Sequence, residues 1–276
     1  MFRAFCPVIA VMVLAGSAQG QSFNINIAPP GVVPPASYGG AGQPGVWNSV
    51  TTNSGVYTNG LLDINGTPTG VRFIQIGGFE LRVGDDPGTS GADDALMDDC
   101  LVTYSPTLET CLYVRDIQIG IYEVIVYAMM PSRPDVMSYV SSNEEPGYPH
   151  KVIGGGWPGY HKQGVTYSRH ICYVDGGGTY NQIQAHSGIV PGNPAADGAA
   201  TNGFQIRLLP PQATGDMNCD GAVNAGDIEG FVKAITSDES YSLAHALCNI
   251  TNADTNLDRY RDAADVPGFV NALLAP

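Results

Sequence analysis

The feature that most constrains this chain is a twelve-residue pattern near its C-terminus that occurs twice. Residues 224–235 (NAGDIEGFVKAI) align with residues 262–273 (DAADVPGFVNAL), 38 positions further on, and six of the twelve positions are identical. A repeat of this kind predicts two copies of one small structural unit. The C-terminal part of the fold must therefore accommodate a pair of like elements.

Oxygen-bearing side chains precede each copy and continue into it at the spacing of a twelve-residue calcium loop, at positions 1, 3, 5, 9 and 12. A hard cation takes about six to eight oxygen ligands at roughly 2.3–2.6 Å, and a chain wrapped around it turns alternate residues inward. The sequence therefore predicts two Ca²⁺ sites, with a backbone carbonyl at position 7. The ligand sets are Asp216, Asn218, Asp220, Ala222, Asn224 and Asp227 in the first loop, and Asp254, Asn256, Asp258, Tyr260, Asp262 and Asp265 in the second.

Two positions set these loops apart from the usual pattern. Position 12 is Asp in both copies, where a bidentate Glu is usual, and the shorter side chain requires a tighter loop. Position 6 is Gly221 in the first loop and Arg259 in the second, where a positive φ is unfavourable for a residue with a Cβ. We therefore expect the second loop to be the less regular site.

Apolar residues follow each loop at the i, i+3, i+4, i+7 spacing of one helix face. We expect the two apolar faces to pack on each other. No helical pattern is evident before either loop, because Pro210, Pro211 and Gly215 precede the first. The apolar positions are Ile228, Phe231, Val232 and Ile235 in the first copy, and Val266, Phe269, Val270 and Leu273 in the second.

A calcium loop followed by a helix, in duplicate, resembles the dockerin type I module over about 60 residues of the chain. The resemblance implies a small all-α calcium-binding domain at residues 215–276, after a linker at 210–214. It also implies attachment to a cohesin-like protein or a cell-surface partner, and a link to polysaccharide catabolism. Loop positions 10 and 11, where dockerins usually carry recognition hydroxyls, are Ala225 and Gly226, then Ala263 and Ala264.

The first 20 residues have the pattern of a secretory signal peptide: Arg3, a short apolar run over 8–15, and small residues at Ala18 and Gly20. The apolar run is too short to span a bilayer, and no later segment is long enough either. We therefore expect a secreted protein, extracellular or at the cell surface, with no membrane span. The net charge of −14 argues against nucleic acid as a partner.

Six cysteines are present, and an exported chain meets oxidising conditions. Cys219 lies in the first loop and Cys248 shortly before the second, so a disulfide between them would join the two halves of the small domain. Cys100 and Cys111 are close in sequence and are expected to form a second disulfide. Cys172 is then left over in an apolar stretch, which indicates a buried small residue.

Residues 21–209 contain short β-prone runs between turn signals rich in Gly, Pro, Asn and Ser. Such a pattern predicts a mainly β fold, an antiparallel β-sandwich of the jelly-roll type. Stretches 23–27, 45–49, 60–65, 120–127 and 202–206 resemble galactose-binding-like jelly rolls of secreted bacterial proteins, which implies binding to a sugar or a surface. The predicted strands are 23–27, 71–76, 80–83, 111–117, 122–127, 165–167, 170–174 and 203–208.

A carbohydrate site needs exposed aromatic rings beside polar groups. Trp157 and Tyr160, with Tyr148 nearby, are the best candidates because Gly154–Gly156 leave the backbone open around them. Alternatively, Trp157 closes one end of the sandwich. The acidic stretch 84–94, continued by Asp98 and Asp99, has two interpretations, a further calcium site or a solvated turn.

Motifs for catalysis are not evident: the chain has neither Gly-x-Ser-x-Gly nor His-Glu-x-x-His, and no spacing singles out a carboxylate pair. The leading hypothesis is therefore a non-catalytic carbohydrate- or surface-binding protein with a calcium-dependent attachment module. The alternatives are a glycoside hydrolase or lyase, and a structural surface protein.

Overall fold

The computed structural model describes residues 21–51, 54–78, 80–104, 109–130, 133–192 and 198–275. The predicted signal peptide lies outside these ranges. The described chain is mainly β, with several sheets followed by a few short helices near the C-terminus, which confirms the predicted class. None of the helices in the described ranges is both long and apolar enough to cross a membrane.

Fourteen strands and four α-helices follow in chain order. They are β1 (Phe23–Ile27), β2 (Trp47–Val50), β3 (Tyr57–Asn59), β4 (Arg72–Ile76), β5 (Glu80–Arg82), α1 (Ala92–Met97), β6 (Cys100–Thr103), β7 (Thr110–Arg115), β8 (Gly120–Tyr127), β9 (Met137–Ser142), β10 (Lys151–Gly154), β11 (Tyr167–Val174), β12 (Gln182–Ile189), β13 (Ala199–Thr201), β14 (Gly203–Leu208), α2 (Ile228–Thr236), α3 (Asp238–Ala244) and α4 (Val266–Leu274), all within the described part of the chain.

The strands form three sheets. The order is β11-β8-β14-β1-β2 in the five-stranded sheet, β10-β9-β12-β7-β4-β3 in the six-stranded sheet and β13-β6-β5 in the smallest. Most neighbours pair antiparallel, as expected, but β1 and β2 are parallel. A parallel pair requires a crossover instead of a hairpin, and residues 28–46 provide it.

The two larger sheets share one buried apolar cluster. Strand β7 alternates strictly between buried and half-buried residues, so Leu112 and Val114 point into the cluster and their neighbours do not. From the five-stranded sheet, Val124 and Val126 of β8 reach the same cluster. This shared interior leaves one outer face on each sheet.

The C-terminal helices cover one end of the outer face of the five-stranded sheet. Ile171 of β11 and Leu209 belong to the same buried cluster as Phe231, Tyr241 and Phe269. Segment 210–214, predicted as a linker, is held by hydrogen bonds: the Asn249 side chain donates to the Pro210 carbonyl at 3.0 Å. Apolar packing thus joins the helical region to the sheet.

One expectation about the helices is wrong, and a second is confirmed only in part. Helix α3 lies before the second loop, where no helix was expected, and begins at Ser237, whose hydroxyl accepts from the Ser240 amide. The apolar faces of α2 and α4 meet only in part: the Phe231 and Phe269 rings stack with centroids 4.0 Å apart. Ile235 and Leu273 are half-buried against the same cluster, whereas Ile228, Val232, Val266 and Val270 are 40–50 % exposed.

Of the two predicted disulfides, one is formed. Cys219 and Cys248 are bonded, whereas the thiols of Cys100 and Cys111 are free. The predicted Cys100–Cys111 disulfide is wrong because the two residues lie on strands of different sheets, Cys100 on β6 and Cys111 on β7. Cys172 is fully buried, as expected.

Candidate functional site

The two predicted calcium loops have nearly the same hydrogen-bond network. In each, the position-12 carboxylate is fully buried and ties the ends of the loop together. Asp227 accepts from the amides of Met217 (2.7 Å), Asn218 (3.0 Å) and Asn224 (2.8 Å). Asp265 accepts from the amides of Thr255 (2.8 Å), Asn256 (3.2 Å) and Asp262 (2.9 Å).

The polar side chains at positions 3 and 5 bond to the backbone two residues further on. In the first loop, Asn218 Oδ1 accepts from the Asp220 amide and Asp220 Oδ1 from the Ala222 amide, both at 2.9 Å. The second loop repeats these bonds at Asn256 and Asp258, at 3.0 and 2.8 Å. The loops are therefore held in a compact form by their own side chains.

Asp216, at position 1 of the first loop, shows that this donor set suits a hard cation. One of its oxygens, Oδ2, accepts from the Gly221 amide at 3.0 Å. The other, Oδ1, is buried and has no hydrogen-bond partner among the described residues. A buried carboxylate oxygen without a partner is unfavourable, and a bound cation would satisfy it. The surrounding donors are all oxygens, which Ca²⁺ prefers.

Position 1 of the second loop is already satisfied by the backbone. Asp254 Oδ1 accepts from the Asp258 amide at 3.1 Å, and Oδ2 from the Arg259 amide at 2.9 Å. Burial, followed by the negative charge of Asp265, raises the pKa of Asp254. The second loop therefore differs from the first mainly in how position 1 is bonded.

A second candidate site is a cavity of about 630 Å³ over the outer face of the five-stranded sheet. Residues 40–44 form one wall, and the opposite wall is the end of α3 with Ala246 and Leu247. Tyr160 and Tyr167 add aromatic rings. Its volume and mixed lining are those of a small-ligand pocket.

Three charged side chains from neighbouring strands form the floor of this cavity. Glu123 of β8 is bonded to the guanidinium of Arg169 on β11, and its Oε2 lies 3.2 Å from Arg207 Nη2 on β14. Burial opposes the charge of Arg169, but the Glu123 carboxylate outweighs it and raises the arginine pKa. The Nε atoms of Arg169 and Arg207 are buried without a hydrogen-bond partner among the described residues. The cavity floor therefore contains two cationic groups whose hydrogen-bonding capacity is not fully used among the described residues.

The structure separates the three residues predicted to bind carbohydrate. Tyr160 is 59 % exposed and lines the cavity. Trp157 packs against the neighbouring apolar cluster and meets the His161 ring edge-to-face at 5.4 Å, which favours the packing interpretation for this residue. Tyr148 lies elsewhere, with its ring centroid 6.4 Å from that of His186 on the six-stranded sheet.

Sequence patterns do not identify Glu123, Arg169 and Arg207 as a group. They are far apart in the chain and meet only because β11, β8 and β14 are neighbours. The one signal available was a charged residue in the middle of each apolar strand, since buried charges are rare unless paired.

The acidic stretch does come together in space. The carboxylates of Asp85, Asp94 and Asp98 lie within 4.8 Å of one another. A side-chain hydrogen bond that protonated Asp94 donates to Asp98, with burial and the nearby negative charges, raises the pKa of Asp94. Asp98 also accepts from the Asp86 amide at 2.8 Å, so part of the cluster serves the turn itself.

Comparisons with known proteins show low similarity. No family model matches it, and neither does any curated protein. Among solved structures, the Bacteroides uniformis β-glucuronidase has a TM-score of 0.34 and 13% identity, over 59% of this chain and 20% of that one. The ANX1 ectodomain from Arabidopsis thaliana has a TM-score of 0.36 and 13% identity, over 67% of this chain and 47% of that one.

A third structure is the CBM36-1 domain of a multidomain xylanase from the hindgut metagenome of Trinervitermes trinervoides. Its TM-score is 0.28 at 12% identity, over 51% of this chain and 99% of that domain. This chain covers less than half of the first two proteins. Similarities at this level assign neither a family nor a function.

Proposed function

We propose that this is an exported protein whose C-terminal region is a dockerin-like module that binds Ca²⁺ in both loops. The observation that carries the proposal is the buried, unpartnered Oδ1 of Asp216 within an all-oxygen loop. Support comes from the second loop, which repeats the hydrogen bonds of the first at positions 3, 5, 9 and 12. The ions would be held by the predicted ligand sets of 216–227 and 254–265.

Calcium in these loops would have a structural role and not a catalytic one, because its positive charge would neutralise the loop carboxylates. Clustered carboxylates repel one another until a cation neutralises them, so binding is coupled to folding of the module. Asp227 and Asp265 already hold the loop ends together. We therefore expect the bound ion to stabilise the loop shape that these two carboxylates define.

The exposed apolar residues of the module support a role in attachment. Ile228 and Val232 on α2 match Val266 and Val270 on α4 in the repeat, and all four are 40–50 % exposed. The small residues at loop positions 10 and 11 are exposed beside them. A cohesin-like or cell-surface partner would be contacted by apolar side chains instead of hydroxyls.

For the β region, we propose a galactose-binding-like jelly roll that binds polysaccharide in the cavity beside Tyr160. The guanidinium groups of Arg169 and Arg207 and the tyrosine rings of the cavity are groups that recognise sugar hydroxyls or uronate carboxylates. Both oxygens of Glu123 are engaged by arginines, so this carboxylate of the cavity is poorly placed for glycoside hydrolysis.

Calorimetric titration of Ca²⁺ into the mature protein tests the first proposal. We expect two bound ions and a higher unfolding temperature. Asp227→Ala should abolish one of them, whereas Glu229→Ala, at an exposed helical position, should leave both. Absence of binding by the unmodified protein would refute the calcium proposal.

Retention on insoluble polysaccharides, with reducing-sugar release assayed in the same tubes, tests the second. We expect retention without release, lost in Tyr160→Ala and kept in the matched variant Tyr148→Ala on the other sheet. Loss only in Tyr148→Ala would move the site to the six-stranded sheet. Sugar release would favour the hydrolase or lyase alternative, and no retention would favour a structural surface protein.

A further inference from the structure

Away from the loops and the cavity, three metal-binding side chains of different chemistry meet at the six-stranded sheet. Cys111 on β7 and His186 on β12 are directly opposite each other in the strand register. Glu109 immediately precedes β7, and one ligand atom from each of the three lies within 4.8 Å of the others. His186 and Cys111 are half-buried and Glu109 is exposed, so the cluster is accessible from solvent.

The distances within the cluster resemble those between the ligands of one tetrahedral ion. Zinc bonds of about 2.3 Å to sulfur and about 2.0–2.1 Å to nitrogen place those two ligands about 3.5 Å apart. Cys111 Sγ lies 3.5 Å from His186 Nδ1. Glu109 Oε2 lies 2.8 Å from the same nitrogen, as a hydrogen bond. An ion would replace that bond and move the carboxylate out by about 0.5 Å.

The cluster also has the supporting hydrogen bonds that metal sites use to orient their ligands. The Gln184 side-chain amide lies 2.8 Å from His186 Nε2. An ion on Nδ1 places the ring proton on Nε2, which would donate to the Gln184 amide oxygen once that oxygen faces the ring. The Tyr139 hydroxyl donates to Glu109 Oε1 at 2.5 Å, which leaves Oε2 to face Cys111 and His186. The imidazole and the carboxylate are therefore each held from behind.

A nucleophilic role for Cys111 fits less well than metal binding. The thiol and the carboxylate approach the same imidazole nitrogen, instead of one on each side as in a catalytic triad. A cation at their centre would stabilise both anionic ligands.

We propose that Cys111, His186 and Glu109 bind a zinc-class divalent ion through Sγ, Nδ1 and a carboxylate oxygen. Binding would release the thiol proton to solvent and leave one coordination position toward the solvent. The sulfur and nitrogen donors distinguish this site from the all-oxygen loops, so it would select zinc in the presence of calcium. This inference is independent of the function proposed for the loops and the cavity.

Titration of Co²⁺ into the full-length protein, with Ca²⁺ in excess, tests the proposal. Tetrahedral cobalt bound to a thiolate gives a charge-transfer band in the near ultraviolet, which an all-oxygen site does not give. We expect one equivalent of Co²⁺ to produce the band and Zn²⁺ to abolish it. No band in the unmodified protein would overturn the proposal.

Variants assign the ligands. Cys111→Ser should abolish the band, whereas Cys172→Ser, which removes another free thiol, should keep it. Tyr139→Phe should retain the band but weaken Co²⁺ binding about 10–100-fold, as expected when a bond that orients a ligand is lost. This variant leaves all three ligands in place and guards against misfolding of Cys111→Ser. A band that persists in Cys111→Ser, or is lost in Cys172→Ser, would contradict the assignment.

Discussion

The two loops of the repeat share a backbone but differ in what supports them. Positions 4 and 6 are left-handed in both, with φ values of 63° and 89° at Cys219 and Gly221, and 62° and 73° at Leu257 and Arg259. The network around position 12 is also common to both. Side chains that bond to the loop backbone therefore fix the conformation even where Arg replaces Gly.

The surroundings of the loops are different. The second loop lies against the β region: the Arg259 guanidinium is 5.2 Å from the Tyr173 ring centre, and its Nη2 is 3.9 Å from Asp175. The first loop is joined by its Cys219 to Cys248. Packing against the sheet thus supports the second loop, whereas a covalent bond and an unpartnered Asp216 oxygen characterise the first. A repeat in sequence predicts the local structure of each copy but not what it contacts.

The largest effect is expected from removing the position-12 carboxylates. Asp227→Ala and Asp265→Ala each leave three backbone amides without an acceptor, at about 1–3 kcal/mol for each buried group. Both variants should lose several kcal/mol of unfolding free energy, by similar amounts, in urea denaturation without calcium. A much smaller loss in Asp265→Ala would show that docking on the sheet, not the network, holds the second loop.

Position 1 should separate the loops in calcium affinity. Asp216→Ala should weaken its site at least about tenfold more, or about 1.4 kcal/mol, than Asp254→Ala weakens the second. The reason is that Asp216 Oδ1 has no hydrogen-bond partner in the described part of the chain, whereas both oxygens of Asp254 accept from backbone amides. Calorimetry measures the affinities, and equal losses would contradict the ranking.

In the absence of calcium, the position-1 variant of the second loop should be the more harmful one, as judged by the loss of unfolding free energy. Asp254→Ala removes acceptors for two amides, whereas Asp216→Ala removes one and relieves a buried oxygen. Asp254→Ala should therefore lower the calcium-free unfolding free energy more than Asp216→Ala does.

Sequence patterns predicted the features that depend on near neighbours. The strands at β1, β4, β8 and β14 were expected because their apolar residues are dense or alternate. The strand β9 (MSYVSS) was missed because its residues are mostly small and polar, and its pairing with β12 supplies what local propensity lacks. Such strands are defined by their partners, which a single sequence does not show.

Errors that depend on distant contacts have a similar origin. Cys100 and Cys111 are close in sequence but lie on strands of different sheets. The apolar face of α2 was expected to be buried, yet Phe231 alone stacks on its counterpart while Ile228 and Val232 stay exposed. Helical spacing identifies an apolar face without saying how much of it is covered.

Lowering the pH should destabilise the β region beneath the second loop. His170 is fully buried, and its Nδ1 contacts Glu145, which also pairs with Lys151 at 2.9 Å. Burial, only partly offset by Glu145, lowers the pKa of His170 below 6.5. Between pH 6.5 and that lower pKa the unfolded chain binds more protons, so stability is full above about pH 6.5 and falls below it.

The slope is at most about 1.4 kcal/mol per pH unit for one proton. Urea unfolding without calcium, at pH 7.5 and 5.5, should show this loss in the unmodified protein. His170→Gln, which cannot be protonated in this range, should reduce the difference between the two values. An unchanged difference in the variant would assign the acid sensitivity to other groups, such as the loop carboxylates.

The smallest effects should come from position 6, where they isolate backbone conformation from packing. A Cβ added at Gly221 would have no heavy atom within 4 Å, so Gly221→Ala should cost only the left-handed conformation, about 1 kcal/mol. Arg259→Gly removes the cost of the left-handed conformation at position 6, but it also loses the cation–π contact with Tyr173, which stabilises by about 0.5–1 kcal/mol. The two effects oppose each other, so the net change in unfolding free energy should be near zero.

Arg259→Ala completes the comparison, because it loses the Tyr173 contact and keeps the unfavourable φ. Its unfolding free energy should therefore lie about 1 kcal/mol below that of Arg259→Gly, and this difference should equal the loss in Gly221→Ala. Denaturation of the three variants measures both values. If they agree, the two loops share one backbone cost and differ only in their contacts. If Arg259→Gly is far less stable than the unmodified protein, docking of Arg259 on the sheet supports the second loop more strongly than its exposed position indicates.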